Sequence, residues 1–491
     1  RGLGDVYKRQ SLHCFMDTLK EKTAKGLFWG AVNNGTMQIL NILIGIVLGR
    51  LLSPGEYGLV GMLTIFTMIA GNLQSCGFTQ ALVNIKAPTA RDYNSVFWFN
   101  IMMSVTLYVL LFLCAPLIAM YYRRPELVPL SRLVFLAFLI SSFGIAHNAY
   151  MFKNMMNREQ AIVGFFSLVI SGATGIALAY SGFSYWSLAW QQIIFITCVN
   201  IGRYYYVPWR PSANIDFSPV RKMFAFSSKM LVTSIINTVN VHILTVIFGR
   251  LFSAAAVGNF TQANKWNVTA HTFVSGTITQ VAQPVLASIS EDERERRVFH
   301  KMMRFTAFLS FPCMLGLSLI AHDFILVLLG ERWAQCVPLM QVLCIGGAFM
   351  PLYALYQNLA ISSGRSDIYM WCSIAQIVLQ IAVILCFHGQ GIMGMVRAYT
   401  LFNIAWLAAW HIFTSRLIRL RAADVVLDVA PFAAVALLTM AVAYFCPQQI
   451  GDMRLRLVAR IAVAVVVYVG VMKLLRVRIL DECINFIIRK K

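Results

Sequence analysis

Charge is scarce in this chain. Only 12% of its 491 residues are Asp, Glu, Lys or Arg, about half the usual share of a soluble domain. Hydrophobic residues make up 59%, and the mean hydropathy is +0.69. No soluble fold of this length has a core that hides so much apolar surface, so the expected solvent is a bilayer. The other absences exclude chemistry. There is no G-x-x-x-x-G-K-[ST] phosphate loop, hence no built-in ATPase, and no H-E-x-x-H metal motif. The lone Gly364-Arg365-Ser366-Asp367 reads as a turn. The 11 Cys include no C-x-x-C pair. Cys76, Cys114, Cys198, Cys313, Cys344, Cys372 and Cys386 fall in apolar segments and read as small core residues, so no metal is expected.

Long loops are missing too. The longest, 208–225, is too short for a catalytic domain, which argues against an enzyme such as a membrane polymerase or ligase. No carboxylate pair is placed for glycosyl transfer. No carboxylate is expected in the middle of a span: Glu56, Glu126, Asp323 and Glu331 all lie near ends. Cation-coupled drug exporters rely on intramembrane acids.

What is present is apolar, periodic and repeated. Gly49-Arg50-Leu51-Leu52-Ser53 is echoed by Gly249-Arg250-Leu251-Phe252-Ser253. Gly58 is echoed by Gly258, and Thr79-Gln80 by Thr279-Gln280. A fixed offset of about 200 residues signals an internal repeat, which in a chain this apolar means two membrane lobes on one plan. With about 20 apolar residues per span, candidates fall near 26–49, 57–83, 95–121, 127–151, 161–181 and 184–207. A second set falls near 226–250, 256–288, 301–329, 334–361, 367–387 and 390–415, followed by 425–446 and 457–475. The fold class is therefore all-α integral membrane, with about fourteen transmembrane helices in two parallel six-helix lobes plus two C-terminal helices. The domains follow: an N-lobe over 16–207, a cytoplasmic linker over 208–225, a C-lobe over 226–415, and two helices with a basic tail over 416–491. Residues 1–15 read as a disordered, non-native lead-in, with Met16 as the expected start.

The net charge is +21. Nucleic acid is excluded as a partner, because the charge sits in alternate loops rather than on one soluble module. With both termini in the cytoplasm, about 30 of the basic residues fall in inside loops and about 8 outside, as the positive-inside rule requires.

Polar residues within the spans are organised by helical period. Asn34, Gln38, Asn41 and Gly45 share a face of the first span; Thr67, Gly71 and Gln74 share one of the second. Thr233, Asn237 and Asn240 recur in the seventh, and Asn264, Asn267, His271 and Ser275 in the eighth, with Lys265 beside them. Amides in hydrocarbon need partners or water. Four polar-faced helices point to a hydrated cleft; helix–helix bonding is the alternative for any single Asn.

Lys265 lies about ten residues into its span, roughly 15 Å deep at 1.5 Å per residue. It suits contact with a phosphate or acidic sugar, against the alternative of snorkelling to the surface. Arg397, nearer a span end, has the same two readings. Arg50 and Arg250 sit at matched outer ends, as exit-side anion contacts or as helix-end and headgroup contacts. His147, His242 and His271 are candidate protonation sites, with a polar core role more common.

The chain from about residue 20 to 480 resembles Wzx-type polysaccharide flippases, of the multidrug/oligosaccharidyl-lipid/polysaccharide exporter superfamily. The resemblance rests on Gly26-Leu27-Phe28-Trp29-Gly30, on Gly49 to Pro54, and on Glu56-Tyr57-Gly58. Two loops add to it, Tyr121 to Leu127 and Leu329-Gly330-Glu331-Arg332-Trp333. It implies a V-shaped, MATE-like pair of lobes working by alternating access in a bacterial inner membrane. The implied substrate is an undecaprenyl-diphosphate-linked oligosaccharide for surface polysaccharide or lipopolysaccharide, and the implied partners are membrane lipids and polysaccharide polymerase or assembly proteins. It also implies a cationic central cavity, for which Lys265 and Arg397 are the candidates here. No cofactor is implied; a coupling ion, H+ or Na+, stays open. The competing reading is a cation-coupled multidrug antiporter of the same superfamily.

Overall fold

The computed structural model describes residues 35–75, 82, 85, 87–287, 292–415, 417–418, 420–477 and 479–481. Side chains at 75, 221–230, 233, 277, 279–287, 292–294 and 366 are outside that description. So are the 1–15 lead-in, Met16, Asn34 and the Gly26 to Gly30 motif, together with Thr79-Gln80, the Thr279-Gln280 side chains and the end of the tail.

Among the described residues the chain is helical throughout, without strands. The helices are α1 (Gly35–Leu51), α2 (Pro54–Ser75), α3 (Ala90–Tyr122), α4 (Leu127–Lys153), α5 (Asn157–Tyr180), α6 (Trp186–Tyr206), α7 (Ser218–Leu251) and α8 (Ala254–Ala287). They continue as α9 (Asp292–Leu328), α10 (Cys336–Gly347), α11 (Met350–Ser362), α12 (Ser366–Cys386), α13 (Gly391–Thr414), α14 (Ala422–Phe445) and α15 (Met453–Leu474). Eleven described stretches are long and apolar enough to cross a membrane. The three expected spans not among them are also helical. The described part of α1 is short. Both α6 and α8 carry polar side chains, Gln191, Asn200 and Arg203 in the first and Asn264, Lys265 and Asn267 in the second.

Local chemistry sets several boundaries. Thr89 and Asp92 form a capping box at the start of α3, and Arg123 closes it in the left-handed region at φ 56. Asp452 caps α15 by accepting from the Arg454 and Leu455 amides. The helix α7 starts at Ser218, earlier than the expected 226, because Asp216 accepts from the Ser218 amide (2.9 Å) and Pro219 has no N–H to satisfy. The Ser218 amide and then Arg91 hold the Asp216 carboxyl below its usual range. The expected span 334–361 is broken into α10 and α11 near Ala348–Phe349. Pro351 opens the second helix, and the Ala348 carbonyl accepts from Ser310 Oγ at 2.7 Å. A break at membrane depth is tolerated where the freed carbonyl finds such a donor.

Two compact units are present. The first comprises 1–52 and 62–242, the second 53–61 and 243–491, so the divisions fall inside α2 and α7. In the first, α4 packs on α3 and α6, and α6 on α5. The connector is tied to α3: Trp98 Nε1 donates to Ser212 O (2.7 Å) and the Ser212 amide to Asn94 Oδ1 (2.9 Å). In the second unit, α8 packs on α9, α10 and α11, and α9 also packs on α14 and α15.

The repeat has a direct structural expression in the second unit. The start of α2 crosses the start of α8 at the matched glycines. A Cβ on Gly58 would stand 1.8 Å from Ala254 O, and one on Gly258 would stand 1.8 Å from Pro54 O. Gly61 faces Thr261 in the same way, with 2.9 Å from its Cβ position to Oγ1. Positions 58 and 61 thus meet their own echoes, 258 and 261, while 54 and 254 each meet the other's partner glycine, in a reciprocal contact of small residues.

Candidate functional site

In the first unit the polar faces divide into buried and more exposed parts. Gln74 is buried: its Nε2 donates to Ser104 Oγ and Phe138 O, both at 2.7 Å, and its Oε1 accepts from Ser141 Oγ at 2.8 Å. This amide joins α2, α3 and α4 and serves packing. Asn72, off the expected stripe, donates to Thr238 Oγ1 at 2.7 Å and ties α2 to α7. Gln38 and Asn41 on α1 are exposed, and Asn41 Nδ2 donates to its own helix at Met37 O (2.9 Å). Asn237 is exposed and Asn240 half-buried on α7. Arg50, at the end of α1, is exposed, as is its echo Arg250 at the end of α7 in the second unit.

In the second unit α8 presents two different sides. Asn267 is buried, and a Cβ on Gly347 would lie 2.3 Å from its Oδ1, so this side chain meets the broken α10–α11 span. Trp266 packs edge-on against Phe324, ring centroids 4.9 Å apart. Lys265 is exposed, with Asn264 and His271 half-buried near it along the helix. Arg397 on α13 is exposed as well, and no described residue makes a hydrogen bond or ion pair with Lys265 or Arg397. Of the remaining histidines, His242 is half-buried, whereas His147 is fully buried and stacks on Tyr204 at 3.9 Å.

The acids behave in the opposite way. Asp323 is near a helix end, as expected, yet has no exposed surface. Arg456 donates to both its oxygens at 2.9 and 2.7 Å, and Arg460 adds a bond at 2.9 Å. Asp428, in the second turn of α14, is also buried and pairs with His300 and Arg304. These are the buried carboxylates among the described residues, and each already meets a guanidinium from another helix, Arg456 and Arg460 for Asp323 and Arg304 for Asp428. Sequence reading missed these networks because the partners lie far apart in the chain. Asp428 in an apolar run was the available signal.

The second unit thus combines an amide-bearing α8 with two exposed cations that have no described partner, Lys265 and Arg397, and two buried, paired anions. Such a surface can replace the hydration of hydroxyls and hold a negative group. Together with the fold, it defines a multi-pass helical membrane protein. The chain belongs to the polysaccharide biosynthesis protein family, which residues 47–338 match. It is 27% identical over 414 residues to the teichuronic acid biosynthesis protein TuaB of Bacillus subtilis, covering 80% of each chain. It is 24% identical over 395 residues to the lipopolysaccharide biosynthesis protein WzxC of Escherichia coli, covering 79% of this chain and 80% of that one. Its fold is similar to the lipid II flippase MurJ in an inward closed conformation, with a TM-score of 0.70, 14% identity, and coverage of 94% of this chain and 99% of that one.

Proposed function

We propose that the chain flips an undecaprenyl-diphosphate-linked oligosaccharide from the cytoplasmic to the outer leaflet of a bacterial inner membrane, with both termini cytoplasmic. The observation that carries this reading is the charge asymmetry: Lys265 and Arg397 are exposed and uncommitted, while Asp323 and Asp428 are buried and paired. A cation substrate, as in the drug-antiporter reading, would want the reverse. Membership of a polysaccharide biosynthesis family and a fold shared with a lipid II flippase support the same substrate class.

Physically, a sugar head group cannot cross hydrocarbon with its hydroxyls unsatisfied. In the second unit, the amides of α8 would replace their water, and Lys265 and Arg397 would hold the diphosphate by charge-assisted hydrogen bonds. The lipid tail would stay in the bilayer while the lobes exchange their open side. No step makes or breaks a covalent bond, so the chain acts as a transporter rather than an enzyme. It would deliver its cargo to polymerase or assembly proteins on the outer face.

Deleting the gene tests the reading. The expected result is loss of surface glycan, with lipid-linked repeat units accumulating on the cytoplasmic leaflet, where mass spectrometry would identify them. Normal glycan with raised sensitivity to cationic dyes would favour the antiporter instead. At residue level, Lys265→Ala should cut glycan export about tenfold, the worth of one charge-assisted bond, with unchanged thermal unfolding. Undiminished export by that variant would remove Lys265 from the site.

A further inference from the structure

A second polar feature lies wholly within the first unit. Where α1, α4, α5 and α6 meet, a partly open cavity of about 220 Å³ is lined by Arg203, Asn148 and Gln160 on its polar side. Its other walls are apolar and include Met151, Val163 and Phe195, and none of its lining residues is acidic.

The polar side has donors in excess. Arg203 Nη2 donates to Asn148 Oδ1 at 2.9 Å, while Nη1 reaches Gly144 O only at 3.4 Å. A guanidinium has five N–H donors, and these two bonds go to uncharged acceptors. Gln160 Nε2 is buried without any partner among the described residues. Buried donors are normally satisfied, so the cavity lacks an acceptor, and a charged one is favoured beside a guanidinium. The arrangement is built rather than incidental. Gly144 lets α6 close in on α4, since a Cβ there would lie 2.0 Å from Asn200 Oδ1 and 3.1 Å from Arg203 Nη1.

We infer that this cavity binds the phosphate headgroup of an anionic phospholipid. Its volume is below the roughly 300–1,000 Å³ of drug-sized sites and suits a headgroup. The apolar walls continue along spanning helices, where an acyl chain can lie. The cavity also sits at the ends of α4 and α6 and the start of α5, the end that the positive-inside rule places in the cytoplasm. Anionic lipids are enriched in that leaflet, and basic pockets between helices there take their headgroups. The inference does not rest on the flipping reading, because none of the residues assigned to the oligosaccharide lines this cavity.

The test uses the full chain purified in neutral detergent, with thermal unfolding and native mass spectrometry as readouts. Phosphatidylglycerol should raise the unfolding temperature and remain bound; phosphatidylcholine and inorganic phosphate should do neither. Arg203→Gln should weaken phosphatidylglycerol binding at least about tenfold. Gln160→Glu is nearly isosteric and supplies the missing acceptor from the protein itself. It should abolish the phosphatidylglycerol response while unfolding in lipid-free detergent no earlier than the parent chain, and it decides the question if Arg203→Gln does not fold. An undiminished response in Gln160→Glu, or no response in the parent chain, overturns the site. An equal response to inorganic phosphate overturns the lipid as its source.

Discussion

Gly58→Ala and Gly258→Ala should each lower the unfolding temperature steeply, while Gly71→Ala and Gly276→Ala leave it nearly unchanged. The difference lies in what the added methyl meets. At positions 58 and 258 it meets a backbone carbonyl oxygen at 1.8 Å, whereas at 71 and 276 nothing lies within 4 Å. A flexible side chain can swing aside; a carbonyl in a helix moves only with its helix. The cost should therefore reach at least the upper end of the ~1–3 kcal/mol typical of overpacking. In the controls, Ala has the better helix propensity by up to about 1 kcal/mol. The crossing is reciprocal, so the double variant should cost clearly less than the sum of the singles, because helices parted by one methyl already make room for the second. Additive losses in detergent-phase thermal unfolding would show that the two glycines do not share one crossing.

That crossing also marks how much of the fold the sequence held. The matched Gly-Arg-Leu segments and the matched glycines were visible as an echo at fixed offset, and the echo was enough to call a repeat. It could not say that Gly58 and Gly258 would touch, because a repeat fixes likeness and not contact. Span positions were legible because about 20 apolar residues must stay together to cross hydrocarbon. The break between α10 and α11 was not, because Gly346, Gly347 and Pro351 are all tolerated in continuous spanning helices. What settles the break is Ser310, on another helix, whose hydroxyl caps the Ala348 carbonyl.

The site was legible in the same partial way. Helical period placed Asn264, Lys265 and His271 along one helix, and the structure leaves Lys265 exposed there. Period could not separate Gln74, which bonds three groups on two other helices, from Asn41, which bonds only its own helix among described contacts. Both are amides on a predicted face; the neighbours decide their roles. Arg203 shows in the sequence only as a basic residue near the end of a span. Its place in a cavity with Asn148 and Gln160 depends on α4, α5 and α6 converging, which no local pattern encodes.

The buried acids carry the other large prediction. Asp323→Ala should destabilise the chain by about 3–5 kcal/mol, the usual result of removing one member of a buried ion pair. Asp323 has no exposed surface, Arg460 is only 8% exposed, and Arg456 binds both carboxylate oxygens. Removing the carboxylate leaves two guanidiniums facing one another beside α9 with their charge uncompensated. The loss comes from those stranded cations more than from the intact network's net worth, and that distinction can be measured. Replacing all three residues by apolar ones, Asp323→Leu with Arg456→Met and Arg460→Met, should recover most of the stability, because the desolvation of the charges disappears with them. Thermal unfolding in detergent checks both variants. If the triple variant stays as unstable as Asp323→Ala, the ion cluster itself, and not the avoidance of unpaired charge, fastens α15 to α9. If Asp323→Ala unfolds like the parent chain, water reaches the two guanidiniums and the cluster holds nothing together.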